Sequence, residues 1–211
     1  MTTRDRITGP DGMRLYYMLG GLLTFDQSVF THMQGMGTPV AVPTPIFLID
    51  HPKGKVLFET GVHRDVATDP IGHWGEQELH GKTYARGHEW APQVSPDQAV
   101  EHQLATLGVQ PDDIRYVIQS VLIPDHAGGL RAFPDAAVIV QYRELQDAWN
   151  PPTFMPYHYD VNELMEVRDF NYLRLYDEDY DVFGDGSVEI LFSPAHSRGE
   201  QALVVRLPNT G

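Results

Sequence analysis

Apolar positions along the chain fall into short runs rather than long helical stripes. Met13–Leu19, Ile46–Asp50 and Lys55–Glu59 cluster or alternate apolar side chains, and His51-Pro52-Lys53-Gly54 between the last two predicts a hairpin turn. Ile114–Gln119, Ala137–Gln141, Val188–Phe192 and Gln201–Leu207 are rich in β-branched residues between turn formers and read as strands. Helical signals are fewer. Ser95-Pro96-Asp97 supplies an N-cap, a first-turn proline and a first-turn anion, Val100, Leu104 and Leu107 make a stripe, and Gly108 ends it. A second helix is predicted over Arg143–Trp149. Leu22–Pro45 and the proline-rich Asn150–Tyr159 read as irregular, Asp177–Asp181 as a solvated turn, and Gly184-Asp185-Gly186 as a hairpin turn. Pro208-Asn209-Thr210-Gly211 looks like the start of another hairpin, so a return strand is expected to follow.

Composition narrows the classes. With 211 residues and 42% hydrophobic side chains, a single domain spanning 1–211 with a substantial core is the expectation. A formal charge of −14 argues against nucleic-acid or anionic-membrane partners, which need Lys and Arg. Without cysteine there is no disulfide, thiolate metal site or Cys nucleophile. No apolar run reaches membrane-spanning length, and a cytoplasmic location is the default expectation.

Chemistry concentrates where the strand from Ile114 runs into Pro124-Asp125-His126-Ala127-Gly128-Gly129. An acid and an imidazole at a strand's carboxyl end occupy the place where layered α/β folds hold ligands, although an ordinary strand-to-loop turn uses the same residues. His63, His73, His80 and His88, with Trp74, Tyr84 and Trp90, form a second concentration. They could supply metal ligands, but their spacing fits neither an i, i+4 pair nor a short clamp, so surface or aromatic-packing roles in an extended loop are expected.

Asp125-His126-Ala127-Gly128-Gly129 after a hydrophobic strand resembles the second half of the His-x-His-x-Asp-His motif of the metallo-β-lactamase superfamily. Val56-Leu57-Phe58-Glu59-Thr60-Gly61 resembles its strand ending in Asp-Thr-Gly, and Ser193-Pro194-Ala195-His196-Ser197-Arg198-Gly199 its Thr-Pro-Gly-His-Thr-Pro-Gly. Thr60-Gly61-Val62-His63, Asp69-Pro70 and His73-Trp74-Gly75 are most similar to the N-acyl-homoserine lactonase, or quorum-quenching, branch. The resemblance implies an α/β fold, an αβ/βα sandwich of two mixed sheets flanked by helices. It also implies metal-dependent hydrolysis of a lactone ester bond, a small lactone or acyl ligand, and Leu22–Pro45 as a lid or homodimer contact.

The departures from the family pattern are specific. The motif's two leading histidines fall on Val121 and Ile123, whose aliphatic side chains carry no lone pair. Side chains two apart on a strand point to the same side, so both are expected to face the place where the family's first metal sits. Glu59 replaces the family's aspartate, and Gly199-Glu200 its later Gly-His. The bridging aspartate and last histidine would follow the strand ending at Leu207, so further residues are expected beyond the 211 given. The resemblance leaves Asp125, His126 and His196 as metal ligands, with Asp125 also a proton shuttle in catalysis. Three readings stay open: a hydrolase with one Zn, Mn or Fe ion; a non-catalytic ligand-binding or interaction protein without metal; and metal-independent acid–base chemistry by Asp125, Glu59 and a histidine.

Overall fold

The computed structural model describes residues 9–32, 34–74, 92–153 and 159–208. His80, Tyr84, His88 and Trp90, and much of the proline-rich run after Asn150, lie outside them. Nine strands form two sheets among the described residues. The larger has the order β1-β2-β3-β4-β5-β6: β1 Arg14–Asp26, β2 Pro39–His51, β3 Gly54–Phe58, β4 Ile114–Ile118, β5 Ala137–Gln141 and β6 Asn171–Leu175. It is mixed, with β1–β2 and β2–β3 antiparallel and β3 through β6 parallel. The smaller is antiparallel: β7 Tyr180–Asp181, β8 Val188–Phe192 and β9 Gln201–Val205. The helices are α1 Pro70–Trp74, α2 Val100–Thr106, α3 Pro124–Ala127, α4 Tyr142–Trp149 and α5 Val161–Glu166.

Alternation along the central strands builds two cores at once. Leu48, Leu57, Val117, Val138 and Val140 face Val100 and Leu104 of α2, Leu145 and Ala148 of α4, and Leu164 of α5. Their neighbours Ile49, Val56, Ile118 and Ile139 face Val182, Val188 and Ile190 across the gap between the sheets. Stretches buried on both faces must be apolar, which explains why Val117-Ile118 of β4 and Val138–Val140 of β5 are unbroken β-branched runs. Each fully buried Val, Leu or Ile contributes about 1.5–3 kcal/mol.

Several expectations are corrected. The segment from Leu22 to Pro45 is mostly strand, because β1 continues to Asp26 and β2 starts at Pro39. A register shift between Leu19 and Leu22, with Gly21 at φ +138°, lets β1 pass its glycines without breaking. Pro39, Pro43 and Pro45 are tolerated because β3 pairs only with Phe47–His51, leaving the rest of β2 with one neighbour. Only 27–38 connects the two strands, and its Val29, Phe30 and Met36 are exposed. Leu107 does not complete the buried stripe: it caps α2 and is 40% exposed. The strand from Ile114 ends at Ile118, so Val121 and Ile123 lie in the connection to α3 and the strand alternation rule does not place them. Strand β6 and helix α5 carry too few buried positions to announce themselves in the sequence.

Candidate active site at the carboxyl ends of the parallel strands

Glu59 follows β3 with a left-handed backbone, φ +63°, a conformation that costs a non-glycine residue about 1–3 kcal/mol. The surrounding hydrogen bonds over-determine it. Its side chain is buried, and Oε1 accepts from the Ser120 N–H at 3.0 Å. Oε2 accepts from the Gln119 amide nitrogen at 2.9 Å and lies 3.4 Å from Nδ1 of His126. The Thr60 N–H donates to the His126 carbonyl at 2.8 Å, tying the turn after β3 to α3. Gly128 is required at this junction, since a Cβ there would sit 2.3 Å from the His63 backbone nitrogen.

Asp125 and His126 occupy the single turn of α3, with Asp125 Oδ2 3.8 Å from His126 Nε2. Burial opposes charge on the His126 ring. The Glu59 carboxylate outweighs it through charge and hydrogen bond, Asp125 and Glu200 add to the effect, and the pKa is pushed up to about 9. His126 is therefore an imidazolium at neutral pH. The His196 ring lies edge-on to it at a centroid distance of 6.1 Å, on an exposed turn whose backbone N–H donates to Glu200 Oε2 at 2.7 Å. Val121 is fully buried and Ile123 is 7% exposed.

A carboxylate from the helix layer joins the motif loop to the His196 turn. Glu144 of α4 is fully buried and accepts from the Leu122 N–H at 2.7 Å, the Tyr159 hydroxyl at 3.1 Å and the Ser197 hydroxyl at 2.5 Å. Burial pushes the Glu144 carboxyl up against these hydrogen bonds. Gly199 permits the approach, because a Cβ there would stand 2.2 Å from the Glu144 backbone nitrogen. Arg198 pairs with the buried Asp147 of the same helix, Nε donating to Oδ2 at 2.9 Å. Glu144 belongs to none of the sequence motifs. Its signal is only a carboxylate within a helix otherwise destined for the core.

The structure thus brings Asp125 and His126 together with Glu59, and sets His196 beside them. Among the described residues, however, one group of three donor side chains draws its ligand atoms within 4.8 Å of one another, and it is His63, Asp65 and His73. His63 is buried and His73 half-buried, so neither is a surface histidine, although their stacked rings do fulfil the packing role expected for them.

A mixed sheet and a smaller sheet packed face to face, with helices over the outer face of the larger and polar groups at the strand ends, define a metallo-β-lactamase fold. The family model described as the metallo-beta-lactamase superfamily matches residues 39–209, and the chain belongs to that superfamily. Among its relatives, the N-acyl homoserine lactonase AttM of Azorhizobium caulinodans is 36% identical over 202 residues, covering 94% of this chain and 73% of the relative. The N-acyl homoserine lactonase AiiA of Bacillus thuringiensis subsp. kurstaki is 27% identical over 198 residues, 94% of this chain and 72% of its own. A solved N-acyl homoserine lactone hydrolase, with the product N-hexanoyl-L-homoserine bound at its catalytic metal centre, superposes with a TM-score of 0.77 at 25% identity. The match covers 98% of this chain and 74% of that one.

Proposed function

We propose that this chain is directed to N-acyl-homoserine lactones and opens their ring slowly, without the two-metal centre of its superfamily. The substrate class is supported by the names of its relatives and by the product bound in the superposed hydrolase. The observation that carries the rest is the pair of buried aliphatic side chains, Val121 and Ile123, at the two leading positions of the ligand motif. Neither offers a lone pair. Among the described residues, the donor atoms of Asp125, His126 and His196 do not all lie within 4.8 Å of one another. With aliphatic groups at positions 121 and 123, this set of three by itself does not fit a dinuclear centre.

What it does fit is a carboxylate and an imidazolium held side by side. The Asp125 side chain is 22% exposed and can accept a proton from a water attacking the lactone carbonyl. His126, poised by Glu59, can hydrogen-bond the developing oxyanion and return a proton to the ring oxygen as it leaves. The balance is one water and one lactone to one hydroxy acid. General acid–base assistance of this kind supplies about 10²–10⁴-fold, well short of a metal hydrolase. A second reading, a mononuclear hydrolase using Asp125, His126 and His196 with zinc, manganese or iron, is favoured by the nearness of the His126 and His196 rings.

Hydrolysis of N-hexanoyl-homoserine lactone, followed by acid release, separates the two. Equal slow rates with chelator and with added zinc, manganese or iron, falling about 10²-fold in Asp125→Asn, agree with the proposal. Rates that require added metal would establish the mononuclear reading instead.

A further inference from the structure

The segment after β3 carries its own donor cluster, separate from Asp125, His126 and His196. His63 caps a 3₁₀ turn, Arg64–Ala67, accepting through Nδ1 from the Asp65 N–H at 3.2 Å, and Asp65 lies in that turn. A cap and a turn of this kind place the two side chains on one side of the chain, with Asp65 Oδ2 3.8 Å from His63 Nδ1. Helix α1 then returns His73 so that its ring stacks on His63 with a centroid distance of 4.0 Å and an interplanar angle of 13°.

What distinguishes this cluster from an ordinary histidine stack is its surroundings. Glu163 of α5, 10% exposed at its side chain, faces His73 Nε2 at 2.9 Å and accepts from the Trp74 indole N–H at 2.9 Å. A carboxylate holding one imidazole nitrogen fixes the ring and directs the other nitrogen, Nδ1, as the ligand. This is the arrangement that supports metal-bound histidines. His63 is in an electronically awkward position. Two N–H donors, Asp65 N and Arg131 Nη1 at 3.1 Å from Nε2, address one imidazole, and a neutral ring has a single lone pair. Glu166 Oε2, 3.6 Å from His63 Nε2 and 3.3 Å from Arg131 Nη1, can take both the ring proton and the guanidinium. Nδ1 of His63 is then the nitrogen that carries the lone pair, and an ion would take it in place of the Asp65 N–H as the two stacked rings turn toward each other.

We propose that His63, Asp65 and His73 form a binding site for one divalent transition-metal ion of the zinc class, with Glu163 as the carboxylate that orients His73. Two imidazoles and a carboxylate suit Zn²⁺ or its neighbours rather than Ca²⁺ or Mg²⁺, which prefer all-oxygen sites. The ion would pin the segment that follows β3 to α5, with positions left for water. The site shares no residue with Asp125, His126 or His196, and the inference does not depend on the proposed lactone chemistry.

The test is a titration of the full chain with Zn²⁺ by calorimetry and with Co²⁺ by absorption and imidazole NMR. One ion per site is expected, with Co²⁺ perturbing the His63 and His73 ring resonances and leaving those of His126 and His196 in place. Affinity should fall at least about tenfold in Asp65→Asn, a change at an exposed side chain, and about 10–100-fold in Glu163→Gln. Asp125→Asn should leave it unchanged. Perturbation confined to His126 and His196, binding unaffected by Asp65→Asn and His73→Asn, or absence of binding would each overturn the site.

Discussion

Replacing Glu59 by glutamine removes the charge that keeps His126 protonated while preserving a side chain of the same shape. In the chain as it stands, burial works against the charged ring, and Glu59 at 3.4 Å, with help from Asp125 and Glu200, carries the pKa from 6.5 to about 9. At about 1.4 kcal/mol per pH unit this corresponds to at most about 3 kcal/mol of coupling to folding. The side chain is 28% exposed, and solvent screening brings the expected figure to about 2 kcal/mol. Because the folded pKa is raised, that stability is complete below about pH 6.5 and is lost as the pH rises through about 9. Imidazole NMR of the chelator-treated protein should show His126 titrating near 9, and denaturant midpoints should fall across that window. In Glu59→Gln the His126 pKa should drop by at least about one pH unit, since one opposite charge at this range shifts a group by about 1–3. The slope of stability between the two pKa values should shrink with it. The Gln119 and Ser120 hydrogen bonds to position 59 can be kept by glutamine only in part, so a uniform loss at all pH values is also expected. A wild-type His126 titrating near 6.5, or one indifferent to Glu59→Gln, would refute the ion pair as the organiser of this site.

The remaining predictions follow from close contacts elsewhere in the site. Gly199→Ala should lower stability by about 1–3 kcal/mol, read as a drop in Tm, because the added methyl meets the Glu144 backbone at 2.2 Å. Glu144→Ala should cost at least about 3 kcal/mol, since it strands the Leu122 N–H and the Tyr159 and Ser197 hydroxyls in the interior. In a His73→Asn background, Val121→His with Ile123→His should give zinc-dependent protection against thermal unfolding that the background alone lacks. The double change should also cost stability without zinc, because both positions are buried.

Much of the scaffold was legible because its strands are buried on both faces and bounded by clear turns. Ala137–Gln141 and Val188–Phe192 form strands with the bounds that their β-branched runs predict, and His51 pairs with Gly54 across the predicted hairpin. Elements whose stability comes from tertiary contacts were not legible. Strand β6 sits at a sheet edge and α5 buries only Leu164, so neither has a periodic apolar signal. Leu22–Pro45 read as irregular, but a bulge in β1 and a single neighbour for the first part of β2 let both strands run on. In the site, Asp125 and His126 stood out because they follow an apolar run that begins in a strand, although β4 itself ends at Ile118. Glu144 did not, as its importance lies in three donors that come from 15 to 53 positions away in sequence. The His63–His73 pairing was similarly hidden, since a 3₁₀ turn and a short helix, rather than one regular element, bring the two rings together.

The most direct measurement is anomalous X-ray scattering at the zinc edge from crystals grown with excess zinc. The account predicts no pair of ions beside Asp125, His126 and His196, where Val121 and Ile123 supply no donors. Two peaks about 3.5–4 Å apart at that position would contradict it.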